Sequence, residues 1–252
     1  MIEDPTFYFW AIPAVLLLGL AKSGFLSGFG AVATPLMAMA VPVPQAAAIM
    51  LPLLCVMDLA SLQQLWRDRD AALLRLLLPA GLVGIVLGTV LFGAVSAPVV
   101  SAVVGALTLM FLLQRLLAKK PALGEPPAAP SRTWGFGLGV VSGFTSFVAH
   151  AGGPPISAYV LPMRLDPVRV AATMAVFFAV INLAKWAPYA ALGLFDARNL
   201  WTSLVLAPLA PVGVWLGVGL TRRIASAWFY RVAYLGMGVA GAKLLWDGLG
   251  AL

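Results

Sequence analysis

Two stretches of this sequence place glycine, hydroxyl and basic side chains together inside otherwise apolar surroundings. The first runs Lys22-Ser23-Gly24-Phe25-Leu26-Ser27-Gly28-Phe29-Gly30; the second runs from Ser142 to Pro155 and holds Thr145, Ser146, His150, Gly152 and Gly153. Glycine lets a backbone approach a ligand closely. Short helices opening at Ala31 and Gly153 would also aim free N–H groups and positive dipole ends at the two breaks. An anion is stabilised in such a place. The competing reading is that these glycines, with the GxxxG-like spacing of Gly24 and Gly28, serve close helix packing within or between chains.

Four ionisable residues within apolar segments carry a desolvation penalty that confines them to a bundle interior or a helix end: Lys22, Asp58, His150 and Lys185. Lys22 reads either as an anion contact or as a lysine snorkelling to an interface. Lys185 sits too far from either end of its segment to snorkel, which points to a ligand or a buried ion pair. Asp58 is placed to carry a proton or to pair with a lysine, or else marks a polar helix end near Arg67 and Arg69. His150 changes charge near neutral pH and can donate to an oxyanion, or is simply a satisfied polar residue.

The elements that must position these residues follow from composition. Of 252 residues, 62% are hydrophobic and 10% charged, against about 45–50% and about 25% in soluble domains. Uncharged runs such as Ile12 to Ala21 leave nothing to cover a water-facing surface. The chain is expected to be an all-α integral membrane protein. Apolar stretches and breakers predict segments near 6–21, 31–41, 44–66, 71–95 and 97–118, then 132–148, 153–163, 167–193, 198–221 and 226–248. The proline-rich linker Lys119 to Ser131 divides them, giving repeats over 1–118 and 132–252 around a linker at 119–131. Ser23-Gly24-Phe25 recurs as Ser142-Gly143-Phe144, 119 residues on, and Asp58-Leu59-Ala60 is paralleled by Asn182-Leu183-Ala184. Two repeats are therefore expected, each a broken short-helix hairpin followed by three transmembrane helices.

The charge pattern gives an orientation. Twelve of the 16 lysines and arginines fall in four clusters, around Arg67, Lys119, Arg164 and Arg222, and all four face the cytoplasm if each half opens with a hairpin that returns to its own side. The halves are then inverted, with both termini periplasmic and the linker cytoplasmic. Eight simple crossings would instead put Arg164 and Arg169 opposite the linker. Because the basic residues sit in short loops, the net charge of +7 gives no reason to invoke nucleic acid. Met1 to Phe9 lacks the basic start of a cleavable signal peptide, so the first segment is expected to stay in the mature protein. The lone Cys55 excludes an intramolecular disulfide, and the lone histidine excludes an HExxH zinc site. No enzyme, cofactor or metal is expected.

The glycine-rich breaks, the repeated proline and alanine pattern and the midpoint linker resemble the TauE/SafE family of sulfite exporters, TSUP-type permeases. The most specific elements are Gly28-Phe29-Gly30-Ala31 with Pro35, and Gly152-Gly153-Pro154. The resemblance implies a secondary carrier in the bacterial inner membrane that moves sulfite or small organosulfonates, driven by an ion gradient. On that reading the anion meets Lys22, Ser23, Ser27, Gly28, Gly30, Thr145, Ser146, His150, Gly152, Gly153 and Lys185. Asp58 and Asn182 form a coupling or polar pair, with protons as a candidate coupling ion. A passive anion channel, a non-transporting membrane partner and a homodimer stay open at this point.

Overall fold

The computed structural model describes residues 1–22, 33, 36–37, 39–41, 43–92, 94–117 and 131–251, and these are helical throughout most of their length. In chain order the helices are α1 (Pro5–Lys22), α2 (Val43–Leu65), α3 (Ala71–Val90), α4 (Ala97–Leu117), α5 (Arg132–Ala149), α6 (Gly153–Val160), α7 (Pro167–Ala191), α8 (Ala197–Leu206), α9 (Leu209–Arg223) and α10 (Ser226–Gly250). No strand occurs among the described residues. The break after Lys22, part of the segment expected at 31–41 and the linker up to residue 130 lie outside the described residues.

Local sequence sets the helix boundaries. Asp70, Asp166 and Asp196 accept backbone N–H groups at the starts of α3, α7 and α8, and Ser131 does so for α5. Asp4 likewise accepts the Thr6 N–H at the start of α1, so four of the nine acids cap helices. The segment expected as one helix over 198–221 is instead divided into α8 and α9, bent by 44°. Pro208 explains the division: it has no N–H for the helical ladder and its ring crowds the carbonyl four residues back, while Ala207 and Pro208 themselves keep helical backbone angles. Among the described residues four helices, α1, α2, α3 and α7, are long and apolar enough to cross a membrane, and the bent α8–α9 pair counts as a fifth if it forms one span. The chain is an all-α, multi-pass membrane protein.

The most extensive interfaces are α3 with α5, α4 with α10, α1 with α9 and α2 with α7. Each joins one half of the sequence to the other. Exchanging the halves turns α3·α5 into α9·α1 and leaves α4·α10 and α2·α7 unchanged. Glycine closes three of these crossings. A Cβ on Gly143 would lie 2.0 Å from the Gly81 carbonyl oxygen, one on Gly19 would lie 2.9 Å from the Gly213 Cα, and one on Gly105 would lie 2.4 Å from the Leu245 nitrogen. Lipid supplies no hydrophobic drive between helices, so this close backbone approach is what holds the halves together.

Contacts at the helix ends gather the charges. Arg222 donates to the Gln64 carbonyl at 2.8 Å and reaches Asp68, the Asp70 N–H donates to Thr173, and Tyr230 donates to the Leu165 carbonyl. These bonds bring the clusters around Arg67, Arg164 and Arg222 to one end of the bundle. A Cβ on Gly135 would strike the Tyr159 ring at 2.3 Å, so α6 runs back beside the start of α5 and Arg132 shares that end with Arg164. The arrangement of eight simple crossings does not have this geometry. At the opposite end, Gln45 pairs with Asn199 beside Arg198, and the Ile2 N–H donates to Thr202.

The glycine crossings give a contrast in stability. Gly143→Val is expected to lower stability in detergent by at least about 1–3 kcal/mol through overpacking. Gly137→Ala, whose Cβ would meet nothing within 4 Å, is expected to leave it unchanged. Equal thermal midpoints for the two variants would contradict the close α3·α5 crossing.

Candidate functional site

Met174, Phe178, Asn182 and Lys185 recur at helical spacing along one face of α7. That face meets the end of α1, the middle of α2 and the turn from α5 into α6. Between them lies a cavity of about 60 Å³, lined by Lys22, Ser146, His150, Gly153, Phe178 and Asn182 together with apolar neighbours. One water needs only ~10–15 Å³ on this measure, so the space admits a small ion.

Asp58 anchors one side of the cavity. Lys22, the last residue of α1, places Nζ 2.5 Å from Asp58 Oδ1, and Asn182 Nδ2 donates to Oδ2 at 2.6 Å. The side chains of the ion pair are 7% and 4% exposed. The repeat counterparts Asp58 and Asn182 therefore touch each other directly, and the lysine that finds Asp58 is Lys22. Its ammonium also sits 5.0 Å from the centre of the Phe178 ring, where the ring quadrupole favours a cation.

Lys185 stands behind the other side, against the lining residues Ser146 and His150. It is fully buried. Its Nζ donates to the Ser146 carbonyl and to Ser146 Oγ, each at 3.1 Å, and lies 3.0 Å from His150 Nδ1. The three donors of an ammonium are thus matched by three acceptors, all of them neutral. No salt bridge reaches Lys185 among the described residues.

His150 ends α5 in the left-handed conformation at φ 51°, a region that histidine enters more readily than most residues. This turn aims its ring back toward α2, where Nε2 meets the Ala47 carbonyl at 3.1 Å. The turn is braced by hydroxyls. Ser142 donates to the Gly152 carbonyl, and the Thr145 hydroxyl is directed at the carbonyls of Val141, Ser142 and Ala151. Glycine is required at 152, where a Cβ would lie 2.7 Å from the Ser142 carbonyl oxygen.

The structure brings together Lys22, Asp58, Ser146, His150, Gly153, Asn182 and Lys185, while Thr145 and Gly152 support the turn behind them. Ser23, Ser27, Gly28 and Gly30 lie outside the described residues. Sequence reasoning missed Phe178 and the Ala47 carbonyl. The Phe178 spacing to Asn182 and Lys185 was a usable signal; a backbone acceptor on another helix leaves none. Cys55 accepts the Trp186 indole N–H at 3.1 Å.

Buried basic side chains border a small cavity in a multi-pass helical bundle whose halves interleave. The family described as Sulfite exporter TauE/SafE matches residues 11–244 of the chain. The chain belongs to this family of membrane transporters. No curated protein and no solved structure matches it.

The ion pair can be tested on its own. Asp58→Ala leaves Lys22 buried without its counter-charge and is expected to cost about 3–5 kcal/mol, whereas the double variant Lys22→Met/Asp58→Leu recovers most of that loss. Unfolding in detergent measures both; equal losses would contradict a buried pair.

Proposed function

We propose that the chain is a secondary transporter of small sulfur oxyanions, sulfite or organosulfonates, in the bacterial inner membrane. The observation that carries this reading is Lys185, a fully buried lysine whose partners are Ser146 and His150 rather than a carboxylate. In a low-dielectric interior such a charge attracts an anion into the adjacent cavity. The start of α6 at Gly153 borders the same cavity and adds the positive end of a helix. Oxyanions suit this seat because several oxygens can accept separate N–H and O–H donors at once.

The basic end of the bundle faces the cytoplasm in this reading, which puts both chain termini in the periplasm. Transport proceeds by alternating access, with the interleaved halves rocking around the Lys22–Asp58–Asn182 and Lys185–Ser146–His150 clusters, and the physiological direction is export. Protons serve as the coupling ion.

Reconstitution in liposomes tests the proposal. Uptake of labelled sulfite, thiosulfate and small sulfonates against their own gradient, driven by a proton gradient, is expected for the wild type and should fall at least about tenfold in Lys185→Ala, the equivalent of about 1.4 kcal/mol. Flux that only ever dissipates a gradient would identify a channel. No flux of any of these anions would overturn the substrate class.

A further inference from the structure

We infer that the Lys185–His150 pair takes up one proton when a dianion occupies the cavity, so that anion and proton cross together; this rests on the oxyanion reading above. With Lys185 taken as an ammonium, hydrogen-bond stereochemistry sets the protons of the empty site. The Ala47 carbonyl can only accept, so the His150 Nε2 facing it at 3.1 Å carries a hydrogen. The Lys185 ammonium can only donate, so His150 Nδ1, 3.0 Å away, presents a lone pair. The ring is therefore neutral.

The other two N–H groups of Lys185 are held by Ser146. An incoming anion reaches the ammonium only by taking an N–H from an existing acceptor, and the bond to His150 can be exchanged without leaving a polar atom unpaired. An anion oxygen accepts the Lys185 N–H. The freed Nδ1 lone pair then binds a proton drawn from bulk solution, and the new N–H donates to a second anion oxygen. The Nε2–H bond to Ala47 is unchanged, and no other group alters its charge.

The surrounding charges favour this exchange over proton loading at Asp58. Both Asp58 oxygens already accept, from Lys22 and from Asn182, so a proton there would displace a donor. Lys22 on α1 is neutralised by Asp58 on α2, and Cys55 is held by Trp186. Tyr189 on α7 has its ring centre 6.3 Å from that of His150 and directs its hydroxyl to the Phe147 carbonyl. Against the end of α5, α4 and α10 present apolar Val100, Val104, Ala240 and Leu244. The empty site thus bears one positive charge, on Lys185. A dianion alone would leave it negative, and a dianion with one proton makes it neutral, the form least costly to carry through a bilayer.

The test uses purified full-length protein in detergent, in weakly buffered solution near neutral pH with an indicator dye. Thiosulfate and sulfate serve as probes, because both remain dianionic there and contribute no protons of their own. Binding is expected to remove about one proton per anion from solution, and apparent affinity should fall by up to about tenfold per unit rise in pH. His150→Gln, whose amide can face both Ala47 and Lys185, is expected to abolish the proton uptake whatever affinity it retains. Binding by the wild type without proton uptake overturns this inference alone, as does unchanged uptake in His150→Gln. Absence of binding by either probe overturns it together with the oxyanion reading.

Discussion

A fully buried ammonium with only neutral partners is the constraint that organises this protein. Lys185 on α7 is tolerable because α5 ends beside it: the Ser146 carbonyl belongs to the last turn of that helix, where carbonyl groups and the negative end of the dipole favour a cation. This compensation is partial, and an anion completes it. The hydroxyl braces at Ser142 and Thr145, the left-handed His150 and the close approach at Gly152 all serve to stop α5 at the height where its final carbonyls meet Lys185. A looser turn would leave the charge without acceptors, at a penalty of several kcal/mol.

The interleaving of the halves determines where this can happen. Because α1 packs on α9 and α5 packs on α3, the opening helix of each half is clamped by the other half, and the ends of α1 and α5 both border the cavity beside the α2·α7 contact. The duplicated scaffold carries unequal residues at its centre. Asp58 pairs with its own counterpart Asn182, so the first half contributes an internally balanced ion pair and the second half contributes the uncompensated charge. On the proposed function, this asymmetry is what makes room for an anion beside Lys185.

Much of this was legible in the sequence. The long helices follow from apolar run length, and Ser131, Asp70, Asp166 and Asp196 mark their starts in the way N-caps do. The basic clusters foretold which helix ends share a side, since their placement reflects insertion chemistry rather than packing. The bend at Pro208 was misjudged as a continuous helix because proline is tolerated inside membrane helices elsewhere in this chain, at Pro13, Pro52, Pro79 and Pro188. The identity of the buried polar residues was readable from their burial cost. Their pairing was not, because Lys22, Asp58 and Asn182 meet through tertiary packing over separations of 36 and 124 residues, and the Ala47 carbonyl has no side-chain signature.

The central claim is that Lys185 is an anion's counter-charge and not a structural strut. Thermal unfolding in detergent, with and without thiosulfate, compares the wild type with Lys185→Met. If the claim holds, the anion raises the midpoint of the wild type as mass action requires, while the variant is at least as stable as the anion-free wild type and does not respond to the anion. A variant that is destabilised without anion, yet stabilised by thiosulfate as much as the wild type, would contradict it.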